Sequence, residues 1–127
     1  MSDRRRRVLI VDDEESIRRS LKAYLEDEGY EVVAVGRGEE ALNALEQEPA
    51  DVAIVDMRLP GMDGNAFVEQ AHNLLPKMTF LIYTGSVGYK PPPNLLAIGV
   101  GEQHVFKKPL ADIAKLVDAM KNSLEPR

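Results

Sequence analysis

The chain has 127 residues and carries 16 Lys and Arg against 21 Asp and Glu, a net charge of −5. That length fits one domain burying roughly two thirds of its unfolded surface without crosslinks, and the lack of cysteine excludes disulfides and thiolate metal sites. The acidic balance (pI about 5.1) argues against direct nucleic-acid binding, and the absence of any long apolar run or signal-peptide core predicts a cytoplasmic domain with no membrane span.

Met1 to Arg7 is polar and basic, with four consecutive arginines, Arg4 to Arg7, which read as a solvated terminus. Residues 1–6 are therefore taken as a tail, 7–124 as the domain and 125–127 as a C-terminal tail. Val8-Leu9-Ile10-Val11 is an apolar run that stops at Asp12-Asp13. From Glu15 the period changes: Ile17, Leu21, Tyr24 and Leu25 share one helical face, and Gly29 stands where a helix ends. Val32 to Val35 predicts a second strand. Glu39 to Gln47, with Ala41, Leu42, Ala44 and Leu45, predicts a short helix stopped by Pro49.

Val52-Ala53-Ile54-Val55 is again wholly apolar and again ends at an acid, Asp56, before the Pro60-Gly61 turn. Four apolar residues in succession fit a strand buried on both faces. Asp63 can cap a helix bearing Phe67, Val68, Ala71, Leu74 and Leu75 and ending at Pro76. Thr79 to Tyr83 predicts the fourth strand, leading into Thr84-Gly85-Ser86. Pro91-Pro92-Pro93 keep the residue before each of them out of helical space, so a fourth helix is confined to about two turns over Asn94 to Gly99. Gln103 to Lys107 predicts the fifth strand, followed by Lys108-Pro109. Ile113, Leu116, Val117 and Met120 mark a last helix that frays near Pro126. Strict βα alternation calls for a parallel sheet with helices on both faces, a three-layer α/β sandwich.

In such a sheet, ligands bind at the carboxyl ends of the strands. Asp56 at that edge is a nucleophile, a metal ligand or a helix cap. Asp12, Asp13 and Asp56 follow the first and third strands; if those strands are neighbours, three carboxylates converge and raise one another's pKa. An oxygen-seeking divalent cation, Mg²⁺ or Mn²⁺, would relieve the repulsion. The fourth strand ends in hydroxyls, Thr84 and Ser86, and the fifth in a cation, Lys108. Acids, a hydroxyl and a lysine at one edge suit a phosphoryl group with Mg²⁺, one carboxylate acting as nucleophile.

The Asp12-Asp13 pair, the stretch from Asp56 to Gly61, Thr84-Gly85-Ser86 and Lys108-Pro109 together resemble the receiver domain of bacterial two-component response regulators, over Arg7 to about Leu124. The resemblance implies a flavodoxin-like sheet in the order 2-1-3-4-5. It implies that Asp56 accepts a phosphoryl group from a sensor histidine kinase or histidine phosphotransfer protein. Asp13, Asp56 and the backbone carbonyl of Arg58 would hold Mg²⁺, with Asp12 acting through a water. Lys108 would pair with a phosphoryl oxygen, and its peptide bond to Pro109 would be cis. The Thr84 hydroxyl and the Gly85 amide would move toward the phosphoryl group as the switch, while Arg58 and Ser86 occupy positions that tune phosphate loss. The implied protein is not an enzyme toward small molecules. It catalyses only its own phosphorylation and dephosphorylation, and controls a downstream partner as a monomer or a phosphorylation-dependent dimer.

Two features depart from the family. Its switch aromatic, three residues before the lysine, is replaced by Val105; alternation puts Phe106 on the opposite face. The triple proline shortens or displaces the fourth helix. One hypothesis is that Tyr89 supplies the missing ring. Lys107 reads as a surface cation, and His72 and His104, with no partner at metal spacing, read as structural or solvent-facing. The alternatives are a receiver-like interaction module that ignores phosphate and a magnesium phosphohydrolase with an aspartyl nucleophile. The second is disfavoured because Arg58 stands where such enzymes carry a second acid; an acidic edge also disfavours a flavin phosphate. No output domain follows the last helix, so the chain is expected to be either a stand-alone regulator or a piece of a longer protein.

Overall fold

A computed structural model describes residues 5–109 and 113–124. In chain order the elements are β1 (Arg7–Val11), α1 (Glu15–Asp27), β2 (Glu31–Val35), α2 (Gly38–Gln47), β3 (Val52–Val55), α3 (Gly64–Leu74), β4 (Thr79–Thr84), α4 (Pro93–Ala97), a 3-10 turn (Glu102–His104), β5 (Val105–Lys107) and α5 (Ile113–Leu124). The strands pair in parallel as β2-β1-β3-β4-β5, the order expected.

Alternation along each strand sorts the core into two halves. Leu9, Val11, Ala53, Val55, Phe80 and Ile82 face α2, α3 and α4, meeting Ala41, Leu45, Phe67, Val68 and Leu95. Val8, Ile10, Val52, Ile54, Leu81 and Tyr83 face α1 and α5, meeting Leu21, Leu25, Leu116, Val117 and Met120. β1 from Val8 onward and all of β3 are covered on both sides, which is why Val8–Val11 and Val52–Val55 are apolar without interruption. Each fully buried Val, Leu or Ile stabilises the fold by about 1.5–3 kcal/mol.

Register carries the carboxylates to one edge. Val11 pairs with Val55, so the next residues, Asp12 and Asp56, emerge side by side. The Asp56 amide donates to the Val11 carbonyl at 2.9 Å, and the Asp12 amide to that of Val35 at 3.0 Å. Helix ends follow local chemistry. Gly29, at φ 96°, closes α1 in the left-handed region, with its amide on the Glu26 carbonyl. Asp63 caps α3 by accepting from the Ala66 amide at 2.9 Å.

Several expectations are corrected. Gln103 and His104 are not strand: the His104 amide donates to the Gly101 carbonyl, and the Gly101 amide donates back to His104 Nδ1 at 3.0 Å. This closed turn defers β5 to Val105. Leu74 lies 42% exposed and outside the core, because α3 ends there and Leu75 caps it; Leu75 itself packs half-buried against the core. The arginine run is not merely solvated at its C-terminal end. Arg7 belongs to β1 and pairs with Glu31 at 3.1 Å and Glu48 at 3.4 Å. Arg6 donates to the Leu124 carbonyl at 3.0 Å. The fraying expected near Pro126 lies outside the described residues. α4 runs Pro93–Ala97, starting a residue earlier and ending sooner than the two turns expected over Asn94 to Gly99, with the Leu95 and Leu96 amides both on the Pro92 carbonyl. Among the described residues, no helix is long and apolar enough to cross a membrane.

Candidate functional site

Asp12, Asp13 and Asp56 each offer a carboxylate oxygen within 4.8 Å of the others. Asp12 and Asp56 are buried at 2% and 4% exposure, while Asp13 faces solvent. An unpaired carboxylate at that depth would cost several kcal/mol, and the partner is Lys108, immediately after β5. Its Nζ lies 2.8 Å from Asp12 and 3.2 Å from Asp56, and 5.6 Å from the centre of the Tyr83 ring. Lys108 is placed by its own amide, which donates to the Thr84 carbonyl at 2.9 Å, and the Lys108–Pro109 bond is cis.

Backbone amides orient the acids. The Glu14 amide donates to Asp12 Oδ1 at 2.9 Å and the Arg58 amide to Asp56 Oδ1 at 3.2 Å, each carboxylate closing a turn two residues on. Beneath Asp56, α3 approaches so closely that a Cβ at Gly64 would lie 2.5 Å from the Asp56 carbonyl oxygen. A glycine is required there for contact, not for its φ. The Arg58 side chain is exposed at the rim.

The electrostatics leave negative charge over. Burial lifts the Asp12 carboxyl above the ordinary carboxylate range, the Asp56 charge adding to it, although Lys108 and the Glu14 amide pull it down. Burial also works against the Lys108 ammonium, but Asp12 and Asp56 outweigh it and hold its pKa above the ordinary lysine value. One ammonium thus does not offset three clustered acids. The donor set is all hard oxygen, with no thiolate and no imidazole, and fits a divalent cation such as Mg²⁺.

Thr84 ends β4 fully buried, its Oγ accepting from the Ser86 amide at 3.2 Å. The hydroxyl is therefore turned toward its own loop. Gly85 is exposed, and a Cβ there would meet Lys108 Cβ at 3.9 Å. Val105 packs with the α2–α4 half of the core and Phe106 with the α1–α5 half, as alternation requires. Tyr89 joins the same half-core as Val105 and donates its hydroxyl to Asn65 Oδ1 at 2.8 Å. His72 is half-buried in the last turn of α3, and His104 is structural.

Two residues were missed. Glu14 brings a further carboxylate to Lys108 Nζ at 3.2 Å. In sequence it reads as an ordinary acid at a helix start, and only the β5 loop makes it a partner. Lys107, read as a free surface cation, donates to the Ser86 carbonyl at 3.2 Å and the Tyr89 carbonyl at 3.4 Å. It fastens the segment after Thr84 to β5. Its place next to Lys108, opposite Thr84 in the β4–β5 register, is the signal that could have found it.

Fold and site define a class: a doubly wound α/β domain that gathers carboxylates, a buried hydroxyl and a lysine at the carboxyl edge of its sheet. The chain belongs to the response regulator receiver domain family, whose family model matches residues 8–121. It is 31% identical over 121 residues to the response regulator GtcR of Aneurinibacillus migulanus, an alignment covering 93% of this chain and 49% of that protein. The chain thus spans about half the length of that curated relative. A CheY-like receiver domain protein of Methanospirillum hungatei superposes with a TM-score of 0.85 at 34% identity, covering 95% of this chain and 94% of that one. TrrA of Thermotoga maritima, solved in complex with Mg(2+)-BeF, superposes at 0.80 with 27% identity, covering 94% and 99%.

Proposed function

We propose that this domain is a Mg²⁺-dependent (or Mn²⁺-dependent) phosphoacceptor switch of a two-component system, with Asp56 as acceptor. The observation that carries the reading is the convergence of Asp12 and Asp56 on Lys108 Nζ, at 2.8 Å and 3.2 Å, beside the buried Thr84 hydroxyl. An Asp56 oxygen attacks the phosphorus of a phosphohistidine on a sensor kinase or phosphotransfer protein, or of acetyl phosphate. A P–O bond to Asp56 forms as the donor's P–N or P–O bond breaks, and the electron pair leaves with imidazole or acetate.

Asp12, Asp13, Asp56 and the Arg58 carbonyl are the groups that would hold the cation. Bound there, it supplies charge neutralisation on the phosphoryl oxygens. Lys108 stabilises a phosphoryl oxygen by a charge-assisted hydrogen bond. Thr84 exchanges its bond from the Ser86 amide for donation to the phosphoryl group, and Gly85 adds its amide; the segment after Thr84 moves with them. Arg58 and Ser86 set access of water to the phosphate. The Mg(2+)-BeF complex of the Thermotoga relative supports this chemistry by likeness. The proposed unit is residues 7–124, working in the cytoplasm on a protein partner, as a monomer or a phosphorylation-dependent dimer.

Beryllium fluoride with Mg²⁺, a stable phosphoryl mimic, tests the switch. Amide NMR signals of residues 84–90 and β5 should shift together in the wild type and stay still in Asp56→Asn. Unmoved loop signals in a wild type that binds the mimic would overturn the switch.

A further inference from the structure

A charge lies behind the acid cluster that nothing above employs. Arg18, in the second turn of α1, reaches back six residues, and its Nη1 donates to the Asp12 carbonyl oxygen at 2.7 Å, half-buried. The Asp12 amide is already held by Val35 of β2, so both polar groups of this peptide position are fixed, one by the sheet and one by the guanidinium. The next residue after β2 is Gly36. It is not among the glycines with positive φ, so its backbone does not require glycine. Space is tight instead: a Cβ at position 36 would lie 3.1 Å from Arg18 Nη1, 3.8 Å from Cζ and 3.9 Å from the Asp12 carbonyl oxygen, so an added methyl would press on the guanidinium. Gly36 is the floor of a slot that the guanidinium fills between the β1–α1 and β2–α2 turns.

We propose that Arg18, seated over Gly36, is a positioning residue for the divalent-cation site, fixing the main chain from which the Asp12 and Asp13 carboxylates project. The proposal rests on the cation-site reading given above. Arg18 does not touch the cation or the phosphoryl group. It holds the turn in its binding geometry through the Asp12 main chain, leaving both carboxylates to the cation. Guanidinium suits this role because its planar fork keeps its charge at any working pH and loses little freedom on binding. Partners that orient metal-binding groups typically change metal affinity by tenfold or more when removed.

The test is Mg²⁺ titration of the metal-free protein, followed by amide NMR, for the wild type, Arg18→Ala, Arg18→Lys, Gly36→Ala and the Arg18→Ala/Gly36→Ala double variant. Thermal unfolding with and without Mg²⁺ runs beside it. Arg18→Ala is expected to weaken Mg²⁺ binding about tenfold, and Arg18→Lys to recover part of the loss. Gly36→Ala should weaken binding by crowding the guanidinium, with no further loss once Arg18 is gone, because the two substitutions remove one interaction. A purely structural role would lower the unfolding midpoint equally with and without Mg²⁺. The positioning role predicts that the Mg²⁺-induced rise itself shrinks. A wild type that binds Mg²⁺ with Arg18→Ala unchanged, or additive effects of the two sites, would overturn this inference alone. A wild type that binds no Mg²⁺ would overturn the cation-site reading and this inference with it.

Discussion

The Lys108 ammonium has three hydrogens, and three carboxylates stand around it: Asp12 at 2.8 Å, with Glu14 and Asp56 both at 3.2 Å. A phosphoryl oxygen reaching Lys108 must take one of those places, and Glu14 holds the solvent side. The resting balance has a pH signature. The folded Asp12 pKa is raised above 3.8, by burial first, so its proton-linked stabilisation is full below that value and lost as pH rises through the folded pKa. Above that folded pKa the Asp12 charge therefore costs the metal-free fold stability. Asp12→Asn is expected to raise the metal-free unfolding midpoint at pH 7 by about 2–5 °C, with the gain shrinking as pH falls toward 4. A lower midpoint at pH 7 would contradict this charge balance. For Lys108 the stabilisation is present below pH 10.5 and is lost as pH rises through its higher folded value. Asp12 and Asp56 were legible in the sequence because each ends an unbroken apolar run, and Asp13 because it directly follows Asp12. Glu14 was not, because its partner is 94 residues away.

Between β4 and α4 the chain cannot be regular, since Pro91 and Pro92 lack amides and, with Pro93 opening α4, the three prolines extend the residues before them. Two ties hold it instead: Lys107 on the Ser86 and Tyr89 carbonyls, and the Tyr89 hydroxyl on Asn65. The Tyr89 ring shares its half of the core with Val105, where the family carries an aromatic residue. Tyr89→Phe, losing only the Asn65 bond, is expected to lower stability by about 0.5–1.5 kcal/mol in urea unfolding. Tyr89→Ala should abolish the loop's NMR response to beryllium fluoride and Mg²⁺, and an intact response would show that Tyr89 is not the switch ring. Alternation alone separated Val105 from Phe106 correctly. The 3-10 turn before β5 was illegible for a matching reason: it depends on the His104 ring accepting from Gly101, and polar residues before a two-residue apolar run carry no period.

For the molecule as a whole, alternation of wholly apolar strands with amphipathic helices leaves little besides a parallel sheet covered on both faces. The strand order came from the resemblance, and the β1–β3 pairing that brings Asp12 beside Asp56 agrees with it. What periodicity could not reach were contacts between turns: Arg18 over Gly36, Lys107 across the β4 loop, Arg6 on the end of α5. These depend on reach and angle, which a linear pattern does not encode. The central claim is that Asp56 accepts a phosphoryl group with the help of a divalent cation. Its most direct test is intact-protein mass after incubation with acetyl phosphate and Mg²⁺, with beryllium fluoride binding as the check against rapid hydrolysis. One phosphoryl adduct is expected, lost in Asp56→Asn and lost without Mg²⁺. An adduct that persists in Asp56→Asn, or neither adduct nor mimic binding in the wild type, would contradict it.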